Sequence, residues 1–373
     1  MRKTAIFSII AILSTSLFMG CGAKNNDKVS VVTNNKDSVV NSENEKLKEV
    51  SSKTDTLFTD FFGAGKFSGY VYVTKNDSII LDKGYGKADF EKGISNTSQT
   101  KFDLASLTKQ FTALSVLQLQ EKKLLNVNDK IDKYLPQFPH GNEITIHQLL
   151  NHTSGLPEHP DKFDIRKFRP SSKIDTAVAK KMEVTLDFAP GSSFGYSNTG
   201  YILLGYIIEK ASSKTLDDYF AENIFNPLDM KNTGFQNESS FIDNLAVGYL
   251  SYKKDKAETS WTETNIGVVR GSSGLCSTVE DLIKWDKALT NKKLINKESY
   301  DKMYTPYKNN YGYGWYVFKD SNEKTYYEHY GVGSGYRSYI LRNVEANTTA
   351  IIVSNFGDVP FGEITSLLKD YIK

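Results

Sequence analysis

Segments with a strand-like pattern occur near both ends of this chain, and helical patterns occupy the region between them. Near the N-terminus, residues 67–74 alternate in polarity, a turn follows, and residues 78–85 return, which predicts a hairpin. Near the C-terminus, a helix is predicted over 361–372, after four predicted strands at 312–318, 324–329, 338–342 and 349–355. Strands from both ends can share one sheet if the intervening chain forms an insertion. We therefore predict an α/β (α+β) fold: an antiparallel sheet built from the N- and C-terminal segments, flanked by helices, with a mainly helical inserted domain.

The folded domain is predicted to span 54–373 and to begin with a short helix over 56–62. Its sheet part is expected at about 54–123 and 310–373, and its helical part at about 124–309. The helix candidates of that part share the apolar spacing of a helical face; they are 144–150, 176–182, 201–211, 216–224 and 278–289. The last of these has Ser277 or Thr278 before two acidic residues, which is typical of a helix N-terminus.

The N-terminal residues 1–20 have the pattern of a signal peptide for export. Three residues with two basic side chains precede an apolar segment, 4–20, that is too short for a comfortable membrane span. The segment ends in Gly20-Cys21, which resembles the lipidation site of bacterial lipoproteins, and an ordinary cleaved signal with a coincidental Cys21 is the alternative. Residues 21–53 are polar and lack apolar periodicity, so they are predicted to be a lipid-anchored flexible tether. We therefore expect an exported, membrane-anchored protein of the bacterial cell envelope.

Charge and residue counts argue against several kinds of partner. A formal net charge of +2 over 373 residues gives no reason to expect a nucleic acid partner. The two cysteines, Cys21 and Cys276, cannot form a disulfide framework. Four of the five histidines fall within residues 140–159, but none stands in a His-Glu-x-x-His arrangement. We predict no metal and no organic cofactor.

One apolar stretch, residues 102–114, carries Ser106 and Lys109 three positions apart. On a helix this spacing puts both side chains on one face, and the free N–H groups of a first turn favour negative charge near Ser106. Apolar residues cover much of the circumference of this helix, which is therefore expected to be central and to run to about Lys123. The bare pattern is not specific, because five further copies occur at Ser98/Lys101, Ser251/Lys254, Ser299/Lys302, Ser321/Lys324 and Ser366/Lys369.

Two later stretches combine chemistry-bearing side chains with turn residues. The loop 188–198 contains a proline and two glycines, and it ends in Tyr196 and Asn198. A C-terminal strand carries His329 followed by glycines from Gly331 onward, which permits close approach of the backbone to a ligand.

Taken in order, Ser106-x-x-Lys109, Tyr196-x-Asn198 and His329-x-Gly331 resemble the serine β-lactamase and penicillin-binding protein superfamily. The resemblance is to the group of class C β-lactamases, DD-peptidases and related esterases, and it covers the chain from about Thr54 onward, including 102–119, 148–156 and 271–275. It implies a β-lactamase/transpeptidase-like fold and a serine hydrolase that acts through an acyl-enzyme. The implied partners are small-molecule or peptide substrates such as D-amino-acid peptides, β-lactams or small esters; the oligomeric state is not predicted.

The resemblance also implies a role for each motif residue. Ser106 is the nucleophile, and because a hydroxyl is barely ionised near neutral pH it needs a base within hydrogen-bond reach. Lys109 with a pKa lowered by burial, or Tyr196 near a cationic Lys109, can take that proton, and the sequence leaves both open. Asn198 binds the substrate amide or ester group and orients Lys109.

The strand with His329 supplies the remaining substrate-binding residues. By analogy, the backbone N–H of Val332, next to Gly331, forms an oxyanion hole with that of Ser106. β-Lactamases typically have Lys at the position of His329, and a histidine with a pKa of about 6.5 is mostly neutral at pH 7. Recognition of a substrate carboxylate is therefore weakened, and Arg337 is the candidate to supply the missing charge.

Two other functions compete with this interpretation. Gly191-Ser192-Ser193-Phe194-Gly195 matches the nucleophile elbow of α/β-hydrolases, with Ser193 as nucleophile and His329 downstream. That elbow requires a strand, a sharp turn and an immediate helix, whereas a convincing helix begins only near Asn198. The second alternative is a non-catalytic lipoprotein that uses the same cleft to bind cell-wall peptides or a partner.

Overall fold

The computed structural model describes residues 35–160, 164–169, 183–235, 243–250 and 269–372, with side chains from Glu43 onward. Residues 44–373 form one compact unit. The predicted signal peptide, Cys21 and the helix predicted over 176–182 lie outside the described residues.

The helices of the described part are numbered in chain order: α1 Asn35–Gly63, α2 Thr108–Glu121, α3 Ile146–Leu150, α4 Asn198–Ser212, α5 Leu216–Phe220, α6 Val279–Thr290, α7 Lys297–Met303 and α8 Phe361–Ile372. The strands are β1 Gly69–Lys75, β2 Ser78–Tyr85, β3 Lys87–Asp89, β4 Ile94–Ser95, β5 Phe102–Asp103, β6 Gly234–Phe235, β7 Leu275–Ser277, β8 Tyr316–Lys319, β9 Thr325–Gly333, β10 Tyr336–Asn343 and β11 Thr348–Ser354.

One six-stranded antiparallel sheet joins the two ends of the chain, in the order β2-β1-β11-β10-β9-β8. The N-terminal hairpin enters beside the C-terminal strands through β1 and β11, with Gly69 opposite Ser354. The sheet predicted from the strand patterns at both ends is therefore confirmed. A small sheet of β5, β7 and β6 lies apart from it and leads into α2.

Side chains of the large sheet alternate between two apolar layers. On β11, Ile351 and Val353 belong to the layer that contains α2, whereas Ala350 and Ile352 belong to the layer that contains α1 and α8. This is the two-residue period of a strand covered on both faces. Side chains of β9 and β10 alternate in the same way: Tyr327 and Ile340 lie in the layer of α2, and Tyr330 and Tyr339 lie in the other layer.

Helix α2 is the centre of the molecule, as predicted. Every residue from Thr108 to Leu119 is buried, and the ring of Phe111 stacks on Trp285 of α6 at 4.2 Å. Helix α6 begins as predicted too, since the side chain of Thr278 accepts a hydrogen bond from the backbone N–H of Asp281.

Helix α1 differs from the prediction that residues 21–53 form a flexible tether. It begins at Asn35; Leu47 and Val50 pack against the layer on that side of the sheet, and Ser51 Oγ donates to the carbonyl of Ile80 at 2.7 Å. Although residues 35–53 are mostly polar, their few apolar side chains form one stripe along α1 that continues into Leu57 and Phe58. Among the described helices, none combines the length and apolar character needed to cross a membrane.

Candidate active site

Ser106 lies in a 3-10 turn, Ala105–Leu107, that runs directly into α2. Ala105 adopts a left-handed backbone conformation with φ +46°, which costs energy for a residue with a Cβ. Its N–H donates to the carboxylate of Asp103 at 2.6 Å, and burial raises the pKa of that carboxyl to about 6. Asp103 therefore stabilises the bend that presents Ser106 at the start of the central helix.

Lys109 is fully buried one turn further along. Its Nζ lies 3.0 Å from Ser106 Oγ and donates to Asn198 Oδ1 at 2.7 Å and to the carbonyl oxygen of Ser272 at 2.9 Å. The structure thus brings two other residues of the predicted site, Ser106 and Asn198, into contact with Lys109 Nζ.

The contacts of Lys109 can accommodate a neutral amine. Two of its three neighbours are carbonyl oxygens, which can only accept, while the Ser106 hydroxyl can also donate. A neutral amine has two N–H groups for those carbonyls and one lone pair for the hydroxyl. Burial lowers the pKa of Lys109 well below its usual value, and the nearby Glu158 only partly opposes this effect. In its neutral form Lys109 can therefore direct its lone pair at the hydroxyl of Ser106.

Tyr196 lies in the loop before α4, two residues from the first residue of that helix, Asn198. The Tyr196 ring lies 4.9 Å from Lys109 Nζ. Burial raises the pKa of Tyr196 above its usual value, and the interaction with the Ser106 side chain lowers it by less. The raised pKa favours the neutral phenol of Tyr196, which can donate a proton.

Strand β9 forms the opposite wall of the cleft, close to the turn that carries Ser106. A Cβ on Gly331 would lie 2.0 Å from Ser338 Oγ and 2.2 Å from the carbonyl oxygen of Leu104, and a Cβ on Gly333 would meet that of Ala105. Only glycine allows this close approach at position 331. The backbone of Val332, between the two glycines, therefore passes beside the nucleophile.

The cleft side of β9 has an open strand edge. Strand β8 pairs with β9 only up to Tyr316 opposite Glu328, whereas β9 continues to Gly333. Within the described ranges, no strand pairs with residues 329–333 on that side. Unpaired backbone groups next to Ser106 can bind an extended, peptide-like ligand by strand addition.

His329 is buried and its two ring nitrogens are both occupied. Nδ1 donates to the carbonyl of Tyr330 at 2.8 Å, so Nε2 accepts from the hydroxyl of Tyr311 at 2.9 Å. Burial, and secondarily repulsion from the protonated form of Lys109, lower the pKa of His329 to about 3. His329 is therefore neutral at physiological pH. A free histidine would still be partly charged there, so His329 is less suited to bind a substrate carboxylate than the sequence alone predicts.

Arg337 does not take over that role. It lies opposite Val332 in the β9–β10 pair and shares its parity with Tyr339 and Leu341, whose side chains are in the layer of α1 and α8. Its Nη1 donates to the carbonyls of Gly333 and Tyr336. The strand period thus places Arg337 on the face away from Ser106, a distinction that sequence spacing alone had not revealed.

The α/β-hydrolase alternative is inconsistent with the geometry around Ser193. That serine is exposed in a loop, no strand precedes it within the segment 183–197, and α4 begins only at Asn198. His329 has both ring nitrogens engaged elsewhere. Within the described part of the chain, the histidines form no group of three or more metal-ligating side chains.

Three contributors to the site were missed in the sequence. The carbonyl of Ser272 binds Lys109, the hydroxyl of Tyr311 holds His329, and His152 contacts the Tyr196 loop. A backbone carbonyl leaves no signal in a sequence. His152 lies in the stretch 148–156 that resembles the family, but the sequence assigned it no role of its own.

Comparison with known proteins identifies relatives over most of the chain. The family described as Beta-lactamase matches residues 54–366. Penicillin-binding protein 4* of Bacillus subtilis is 34% identical over 323 residues, which are 80% of this chain and 70% of that protein. The putative penicillin-binding protein PbpX of the same organism is 32% identical over 78% of this chain and 71% of its own length. The octameric penicillin-binding protein homologue from Pyrococcus abyssi superposes with a TM-score of 0.70 at 26% identity, covering 86% of this chain and 77% of that one.

Proposed function

This chain belongs to the beta-lactamase family, within the superfamily of serine β-lactamases and penicillin-binding proteins, and on that premise we propose that it hydrolyses amides or esters through an acyl-enzyme on Ser106. One observation carries the proposal: a buried amine, held by two carbonyl oxygens, lies 3.0 Å from a serine hydroxyl. An amine placed in this way activates a nucleophile.

The proposed reaction uses the side chains of Tyr196, Ser106 and Lys109. Ser106 Oγ bonds to the substrate carbonyl carbon while its proton passes to Lys109 Nζ. The bond to the leaving group then breaks, and the leaving amine or alcohol takes the proton of Tyr196, which Lys109 restores. Water releases the acyl group by the reverse sequence. The backbone N–H groups of Ser106 and Val332 are the proposed donors to the oxyanion, and losing one such donor typically costs about 10²–10³ in rate.

The substrate proposal follows from the wall formed by β9. The open edge of 329–333 favours a substrate with a peptide-like backbone. His329 is neutral and Arg337 lies on the other face of the sheet. Neither residue can therefore supply a positive charge to a substrate carboxylate beside the scissile bond. We propose that D-amino-acid peptides, amides or esters are the substrates and that β-lactams acylate Ser106 but are hydrolysed poorly.

Covalent labelling tests this function directly. Incubation with a fluorophosphonate, and separately with a fluorescent penicillin, is expected to yield one adduct per chain, located on Ser106 by mass spectrometry of the peptides. A panel of N-acyl-D-alanine esters, D-amino-acid peptides and a chromogenic β-lactam is expected to show turnover of the first two classes. An intact chain that forms no adduct with either reagent would support the non-catalytic binding lipoprotein instead.

We also propose that the protein is exported and anchored to the membrane of the cell envelope through lipid on Cys21. The support is the sequence of residues 1–21, a basic start and an apolar segment ending in Gly-Cys. Cells fed an alkyne-labelled fatty acid are expected to attach it to the wild-type protein and not to Cys21→Ser. Label that persists in the variant, or wild-type protein released in soluble form without label, would contradict the anchor.

A further inference from the structure

His152 binds both flanks of Tyr196, although it lies 44 residues before it in the sequence. It follows the short helix α3 and is fully buried. Its carbonyl oxygen accepts from the N–H of Gly195 at 2.9 Å, and its ring Nδ1 accepts from the N–H of Ser197 at 3.1 Å. Two hydrogen bonds from one residue thus bracket the phenol.

The hydrogen bond from Ser197 assigns the tautomer of His152. Because Nδ1 accepts a backbone N–H, the ring proton of the neutral imidazole is on Nε2. Burial lowers the pKa of His152 well below its usual value, and repulsion from the protonated forms of Lys109 and His329 acts in the same direction. The acceptor on Nδ1 is therefore retained across the physiological pH range.

The ring of His152 also supports Tyr196 by packing. The two ring centroids lie 4.3 Å apart, and on other sides His152 contacts Tyr201 at 5.1 Å and Tyr311 at 4.6 Å. Lys109 Nζ lies over the Tyr201 ring as well, at 5.6 Å. The imidazole is therefore enclosed between the proton donor and the aromatic side chains that surround the base.

The backbone at His152 is strained in a way that serves these contacts. Its φ is +60°, a left-handed conformation that is uncommon outside glycine, although histidine, asparagine and aspartate are enriched there. In this conformation the carbonyl oxygen of His152 accepts from Gly195 N–H while its ring accepts from Ser197 N–H. A strained backbone of this kind persists only where surrounding contacts hold it, and here the two hydrogen bonds to Gly195 and Ser197 do so.

Resting on the function proposed above, we propose that His152 is a positioning residue for Tyr196: its carbonyl and Nδ1 hold the Gly195–Ser197 segment so that the phenol meets Ser106 and the leaving group. His152 makes no bond to substrate and changes no protonation state during the reaction. Its contribution is the orientation of the group that protonates the leaving atom, and a small displacement of such a group costs much of its effect.

The inference predicts a loss that depends on the leaving group. In His152→Leu, which removes the Nδ1 acceptor, kcat for N-acetyl-D-alanine p-nitroanilide is expected to fall about 10–100-fold, since general acid catalysis typically contributes 10²–10⁴. For the p-nitrophenyl ester of the same acid, the acylation rate constant, measured in single turnovers with excess enzyme, should fall less than about threefold, because p-nitrophenolate leaves without protonation. KM is expected to change little for either substrate.

Two controls separate positioning from a general loss of structure. In His152→Asn, Oδ1 replaces Nδ1 as the acceptor and asparagine tolerates the left-handed backbone, so most of the anilide activity should be recovered. In a double-mutant cycle with Tyr196→Phe, adding His152→Leu should cause no further loss of anilide kcat, because the group that His152 orients is already absent.

The possible results distinguish the two proposals. Equal losses on the anilide and the ester, or additive losses in the cycle, would overturn the positioning role and leave the acyl-enzyme proposal standing. Wild-type protein that turns over neither substrate and forms no adduct on Ser106 would overturn both. If the anilide is selectively affected in His152→Leu and recovered in His152→Asn, the positioning role is supported.

Discussion

Replacing Lys109 with methionine is expected to lower kcat/KM for every substrate by on the order of 10³-fold or more, because the base for Ser106 is removed. Methionine has nearly the same length and fills the buried position without a charge. The carbonyl oxygens of Asn198 and Ser272 lose their donor, at a cost of about 1–3 kcal/mol for each buried acceptor left unpaired. Measured unfolding by urea should therefore show a modest loss of stability in a folded protein, alongside the catalytic loss.

The pH dependence of the wild-type enzyme provides the matching test of Lys109. A neutral amine is the active form, so kcat/KM should rise with pH until Lys109 has lost its proton and then level off. Because burial lowers the pKa of Lys109, the plateau should be reached well below the usual pKa of a lysine. Lys109→Arg should not restore activity, since a guanidinium remains charged. If the residual kcat/KM of Lys109→Met still rose with pH in the same way, the rise would belong to the titration of another group.

Lys109 also links stability to pH. Its pKa is lower in the folded than in the unfolded chain, so the unfolded chain binds the extra proton between the two pKa values. The free energy of unfolding should therefore rise with pH across that window, and Lys109→Met should remove this contribution to the slope.

Replacing Ser106 with alanine is expected to abolish acyl-enzyme formation and to lower kcat by about 10⁴-fold or more, as removal of a nucleophile usually does. Ser193→Ala is the matched control, because Ser193 is the nucleophile of the α/β-hydrolase alternative and lies exposed in a loop. It should retain full activity on a chromogenic ester. Both substitutions remove one hydroxyl, so their thermal midpoints should stay close to that of the wild type.

The opposite result would be informative. If Ser193→Ala were inactive and Ser106→Ala retained turnover and labelling, the nucleophile assignment and the base assigned to Lys109 would both fail. If both variants kept full activity on the ester, the hydrolysis would arise from neither serine.

The elements of the fold were predictable where local patterns carry the information. The hairpin of β1 and β2 and the C-terminal helix α8 were predicted to within about two residues at each end. Helix α1 was predicted too short, since polar and charged side chains outnumber the apolar ones on its N-terminal half. Arg337 was the candidate to supply the missing charge, but the two-residue period of β10 places it on the face of the sheet away from Ser106.

The sequence by itself predicted Ser106 as the nucleophile from three motifs in order, and it placed Lys109 beside Ser106 because a single helical turn joins them without any tertiary contact. Tertiary structure alone decided what these residues can do. The pKa of Lys109 is lowered because it is buried among groups 89 and 163 residues away, and His329 is neutral because Tyr311 and the core enclose it. Burial sets the protonation states, and burial is a property of the packed chain that no local motif of the Ser106 helix contains.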